Sequence, residues 1–179
     1  MHVWIDVDNP KHVPLVAQVI KELKERGHAV TLTAPRSKAI KKELEVHGLK
    51  VRFIGFVFSF FGLLLNQSNI FRTALMSDYI KIRNIDIAFS LGSKTLLYLC
   101  STSNIPMILL VENIEEKIDA FYLGYEKCFF IVHDFIHDQN LIEKGFDLNK
   151  TQKVKEMKAK DVTNKIEFFN CHIGEILKG

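Results

Sequence analysis

The stretch Asp6-Val7-Asp8-Asn9-Pro10-Lys11-His12 sets two carboxylates, an amide, an ammonium and an imidazole side by side. Such groups serve a few definite chemistries. An imidazole can take a proton from an attacking hydroxyl. A carboxylate can orient that imidazole or accept a hydrogen bond from a sugar hydroxyl. At the start of a helix, unsatisfied N–H groups and a nearby cation can hold a phosphate. His12 and Asp8 are the candidate catalytic residues, and Asp6, Asn9 and Lys11 the candidate ligand contacts. A plainer assignment stays open, in which Asp8 or Asn9 caps the helix and His12 is a polar first-turn residue.

The surrounding pattern explains how a fold would present this loop. Val3-Trp4-Ile5 is a short apolar run, and Val13, Val16, Ile20 and Leu23 recur at helical spacing. Gly27 follows Lys24-Glu25-Arg26 as a helix stop, and a second strand-like run begins at Ala29. Further strands are expected near 50–55, 86–90, 107–111 and 128–132, with helices between them. Ile87-Ala88-Phe89 and Ile108-Leu109-Leu110-Val111 are continuously apolar, as in strands covered on both faces. The expectation is a Rossmann-like three-layer α/β domain with a mostly parallel sheet of about six strands. In such sheets ligands bind beyond the carboxyl ends of the strands, where the Asp6–His12 loop lies.

Residues 1–150 are expected to form this domain. Residues 151–179 read as a basic segment followed by an amphipathic helix that packs back on it. The Lys150–Lys165 run suits a solvated face, with phosphate or anionic lipid as the alternative. A net charge of +3 neither demands nor excludes nucleic acid, and none is expected as a partner. Cys100, Cys128 and Cys171 form no CxxC pair, which fits a reducing compartment and argues against a zinc ribbon. The amino terminus does not read as a signal peptide.

Three other stretches could carry chemistry. Ser90-Leu91-Gly92-Ser93-Lys94 follows an apolar strand and opens a helix; its amides, Ser93 and Lys94 could grip an anion, or Ser93 could simply cap a tight turn. His133-Asp134-x-x-His137-Asp138 has the spacing of a zinc helix but reads better as capping around Asp134. Phe56 to Leu65 is strongly apolar yet too short for a membrane span of about 20 residues. It suits core, a protein interface or a peripheral membrane contact, with Arg72, Lys81 and Arg83 facing headgroups in the last case. Apolar-apolar-Asp6-x-Asp8 also matches the start of a haloacid-dehalogenase-type phosphatase, although Asn9-Pro10 departs from that pattern.

Asp6, Asn9, Pro10, His12, Glu22, Leu23, Gly27, His28 and Val30, followed in order by HGLKVRFIG, IDIAFSLGSK, NIPMILLVEN and EKGFDLNK, together form a recognisable set. As a set they resemble a largely archaeal family of glycosyltransferase-like proteins of the two-domain GT-B type. More distantly, His12, Val13, Val16 and Gly27 resemble the MurG and UDP-N-acetylglucosamine 2-epimerase families. The resemblance implies that this domain binds a sugar or lipid-linked sugar acceptor, while a second domain holds the nucleotide sugar. It adds Ser90, Gly92, Ser93, Lys94 and Glu112 to the ligand contacts. Leu91 stands where that family favours histidine, and no histidine follows Glu112. The implied function is the acceptor-binding half of a glycosyltransferase-like protein, inactive alone: another chain or a second copy supplies the donor half, or the chain is a degenerate or truncated homologue. A non-catalytic binding module working through 56–65 is the alternative, and the phosphatase the third. No cofactor or metal is expected, and the expected location is the cytoplasm, peripheral to a membrane.

Overall fold

The computed structural model describes residues 1–56, 65–113 and 120–177, with side chains described outside 56–70. The apolar segment 56–65 expected to form an interface or membrane contact therefore lies outside the described residues, apart from its two ends.

Among the described residues, seven strands form one parallel sheet: β1 (His2–Asp6), β2 (Ala29–Arg36), β3 (Arg52–Phe56), β4 (Ile87–Ser90), β5 (Met107–Val111), β6 (Cys128–His133) and β7 (Thr151–Val154). Their spatial order is β3-β2-β1-β4-β5-β6-β7. The chain thus winds outward from β1 to β3, returns, and winds the other way from β4. The sheet's direction of growth reverses between β1 and β4, the position where doubly wound folds hold ligands.

Alternation along each strand sorts the core into two layers. Val3, Ile5, Phe89, Ile108, Phe129 and Ile131 point to one face, beneath α1 (Val13–Glu25), α2 (Lys38–Val46) and α7 (Ala159–Ile176). Trp4, Ala88, Leu109, Phe130 and Val132 point to the other. That face is covered by α3 (Leu65–Lys81), α4 (Lys94–Ser103), α5 (Ala120–Gly124) and α6 (Asp138–Glu143). With helices on both faces, the central strands are apolar throughout, as their sequences require.

β7 is a strand more than the sequence pattern suggests. It sits at the sheet edge, where Thr151 and Val154 are buried while Gln152 and Lys153 are half-exposed. Lys153 Nζ donates to the Ile136 carbonyl and pairs with Asp138, each at 2.6 Å, so an edge lysine is satisfied without an apolar neighbour. Pairing of β6 with β7 extends β6 to His133 and delays the next helix to Asp138, beyond the expected start near Asp134. His133 and His137 consequently do not share a helix. Among the described residues no group of three or more His, Cys, Asp or Glu side chains could hold a metal ion. No helix among them is long and apolar enough to cross a membrane.

α7 closes the first layer. Val162, Ile166 and Phe169 are fully buried, and Phe169 packs on Phe129 with ring centroids 4.9 Å apart. A polar clamp ties the helix to the α1–β2 turn. Glu167 accepts from Arg26 and meets His28 Nε2, both at 2.7 Å, and Arg26 also reaches Asn164. The hydrogen bond from His28, with Arg26 adding, holds the Glu167 carboxyl below its ordinary 4.5, against a smaller opposing effect of burial. A depressed carboxyl stabilises the fold above its unfolded value and loses that contribution as pH falls through the folded one. Glu167→Gln is therefore expected to cost about 1 kcal/mol at neutral pH, given partial exposure, and nothing in acid. Urea midpoints of both proteins across that pH range check this.

Cys100 and Cys128 are buried and Cys171 is exposed. Burial pushes both core thiols up, leaving them un-ionised at neutral pH.

Candidate functional site

β1 ends at Asp6, and the chain turns through a short 3-10 segment, Pro10–His12, into α1. Asn9 Oδ1 accepts the Lys11 N–H at 3.0 Å and caps this turn. His12 precedes α1 without making a side-chain cap, so its half-buried ring is not committed to the helix start.

β4 ends at Ser90, and the loop to α4 is tightly specified. Ser90 Oγ accepts from the N–H groups of Gly92 (3.0 Å) and Ser93 (2.8 Å). Gly92 has a φ of +113°, outside the range of ordinary L-residues. Ser93 caps α4 by accepting the Leu96 N–H at 3.3 Å.

Between these two loops, at the carboxyl ends of β1, β4 and β5, lies an open cleft of about 930 Å³. Asn9, Lys11, His12, Gly92, Lys94 and Glu112 all line it. Leu91, the end of β5 and Tyr122 supply apolar wall. Two ammonium groups and the start of α4 give it a cationic character opposed by Glu112, and the His12 imidazole adds a hydrogen-bonding group. An anionic group with attached hydroxyls matches that distribution.

Four expected site residues do not line it. Asp8 is exposed beside the turn. The surrounding protein still strips part of its hydration, and with the negative Asp6 next to it this raises its carboxyl above 3.8; Arg72 and His12 pull the other way. Ser90 and Ser93 are buried and shape the loop from beneath.

Asp6 is buried on the opposite side of β1, and its side chain has no solvent exposure. Its Oδ1 accepts from Thr33 Oγ1 (2.7 Å) and from Arg72 Nη2 (2.6 Å). Its Oδ2 accepts from Ser93 Oγ at 2.6 Å. Thr33 in turn accepts from Trp4 Nε1 at 3.0 Å. Both oxygens already accept hydrogen bonds from within the domain, and the side chain is sealed from solvent. The residue expected as a ligand contact is thus buried and hydrogen-bonded within the domain.

Arg72 is the residue that sequence reasoning misplaced. It does not face a membrane: it is 4% exposed, and its Nε donates to the Ile54 carbonyl at 3.1 Å. Gly55 makes room for it. A Cβ at Gly55 would stand 2.9 Å from Arg72 Cγ, and Gly55 itself has a φ of +74°. Nothing in the local pattern of α3 marks Arg72 as buried, because its partner lies on a distant strand.

The chain resembles several solved structures. The UDP-GlcNAc 2-epimerase from Neisseria meningitidis, bound to UDP-GlcNAc, matches with a TM-score of 0.67 and 12% identity over 94% of this chain and 50% of that one. MurG of Acinetobacter baumannii matches at 0.63 and 13% identity, over 86% of this chain and 44% of that one. Anabaena HepE, solved with UDP and glucose, matches at 0.61 and 14% identity over 86% and 44%. The chain thus spans about half the length of these structures, and the likeness is to the amino-terminal half of the GT-B fold. No functionally curated protein matches the sequence. Residues 1–178 match the family described as "Protein of unknown function (DUF354)", and the chain belongs to that family.

Proposed function

We propose that this domain is the acceptor-binding half of a GT-B glycosyltransferase-like protein. The observation that supports it is the cleft at the β1–β4 reversal, cationic on one side and acidic at Glu112. A sugar acceptor carrying a phosphate or lipid-linked diphosphate would place its anion near Lys11, Lys94 and the start of α4. Its hydroxyls would meet Asn9, His12 and Glu112. His12 is the candidate proton acceptor for the attacking hydroxyl, and the exposed, raised carboxyl of Asp8 stands beside it. A nucleotide sugar would be brought to the cleft mouth by a second domain, in the same polypeptide or another.

Calorimetric titration with UDP-N-acetylglucosamine and with a short-chain polyprenyl phosphate tests this reading. The phosphate-bearing acceptor probe is expected to bind. Lys94→Ala should weaken it at least about tenfold, the worth of one charge-assisted hydrogen bond. His12→Ala should weaken it less. No binding by the native chain, or equal binding by both variants, contradicts the proposal.

A further inference from the structure

We propose that Arg72 is a positioning residue for the cleft: by pairing with Asp6 it orients the Ser93 hydroxyl, and so fixes the loop that presents Gly92 and Lys94. The chain of contacts is short and buried. Arg72, on α3, is anchored by the Ile54 carbonyl and by the space that Gly55 leaves for its stem. It meets Asp6 Oδ1, and Asp6 Oδ2 receives the Ser93 hydroxyl. Ser93 lies between Gly92 and Lys94, both of which line the cleft.

An ionised carboxylate only accepts hydrogen bonds. Ser93 must then donate its proton to Asp6 and turn a lone pair to the Leu96 N–H, a single arrangement that caps α4. A protonated Asp6 becomes a donor itself, and the Ser93 hydroxyl is released from that orientation. Arg72 meets Asp6 in a site without solvent, where an unpaired carboxylate would be costly. The negative charge of Asp6 helps to raise the neighbouring Asp8 carboxyl and Cys100 thiol, and Arg72 is the cation in direct contact with it.

The inference rests on the proposed function only for what the loop presents its groups to; the loop's own geometry can be tested without ligand. The pH dependence of the Gly92, Ser93 and Leu96 amide signals between about pH 5 and 8 is read as the difference from the native chain, which cancels any contribution common to all variants from His12 in the same cleft. In Arg72→Met these signals should move with pH beyond the native dependence, because a buried, unpaired carboxyl titrates upward. Asp6→Asn combined with Arg72→Met removes the titrating group while keeping an acceptor for Ser93, and its amide signals should return to the native pH dependence. Lys81→Ala, an exposed change on the same helix, should behave like the native chain.

Affinity for the polyprenyl phosphate probe should fall about tenfold to a hundredfold in Arg72→Met and recover in the double variant, the expected scale for a displaced contact. A folded Arg72→Met whose loop signals keep the native pH dependence overturns the inference. If that variant does not fold, the double variant decides: native-like loop signals support the role and displaced ones refute it. Absence of probe binding in the native chain would sink the proposed function while leaving the loop titration to stand or fall separately.

Discussion

Asp6→Ala is expected to cost about 3–5 kcal/mol of folding stability, far more than an exposed ion pair is worth. The substitution removes one member of a fully buried pair and leaves the Arg72 guanidinium without its anion. It also strips the acceptor from Thr33 and from the Ser93 hydroxyl. Four elements, β1, β2, α3 and α4, lose a shared anchor at once. Most of the loss comes from the stranded charge, so Arg72→Met in the same chain should restore part of the stability. Urea denaturation of the two single variants and the double variant measures the coupling. An Asp6→Ala protein within about 1 kcal/mol of native would show that the pair is solvated and contributes as a surface bridge does.

Gly55→Ala is expected to be the next most damaging small change, at about 2–4 kcal/mol. Two independent penalties combine. The residue has a φ of +74°, which a Cβ disfavours. The new methyl would also lie 2.9 Å from Arg72 Cγ and 3.0 Å from Arg72 Cβ. The second atom sits next to the helix backbone and cannot swing away, so α3 or β3 must move. At this point β3 gains a residue on β2, since Ala34 pairs with Phe53 but Arg36 with Phe56. The kink needs the left-handed residue, and the left-handed residue makes room for the arginine. Thermal or urea unfolding gives the loss directly; a Gly55→Ala protein as stable as native would contradict the packing described for Arg72.

The sheet's centre was legible in the sequence because its strands are short, continuously apolar and punctuated by Gly27, Gly48 and Gly145. The cleft loops were legible for a related reason. A polar cluster directly after an apolar strand falls at the carboxyl edge of a parallel sheet whatever the detailed packing. Asn9, Lys11, His12, Gly92, Lys94 and Glu112 were all placed there by local pattern or by resemblance.

What local pattern could not show was which way a polar side chain turns. Asp6 and Asp8 are two residues apart on the same chain segment, yet one is sealed in the core and the other reaches solvent. The difference lies in Arg72, whose arrival depends on the path of α3 and on Gly55. β7 escaped notice because an edge strand needs only one buried face, and Lys153 is satisfied by Asp138 and a carbonyl. α5 is a short turn of helix whose one buried residue, Tyr122, gives no periodicity to read.

The central claim is that the β1–β4 cleft binds a phosphate-bearing sugar acceptor. The most direct test is amide chemical-shift mapping of the native chain during titration with a short-chain polyprenyl phosphate. The account predicts saturable shifts concentrated at 9–12, 91–94 and 109–113, lost in Lys94→Ala. Saturable shifts confined to other surfaces, such as the basic run at 150–165, or none at all, would contradict it.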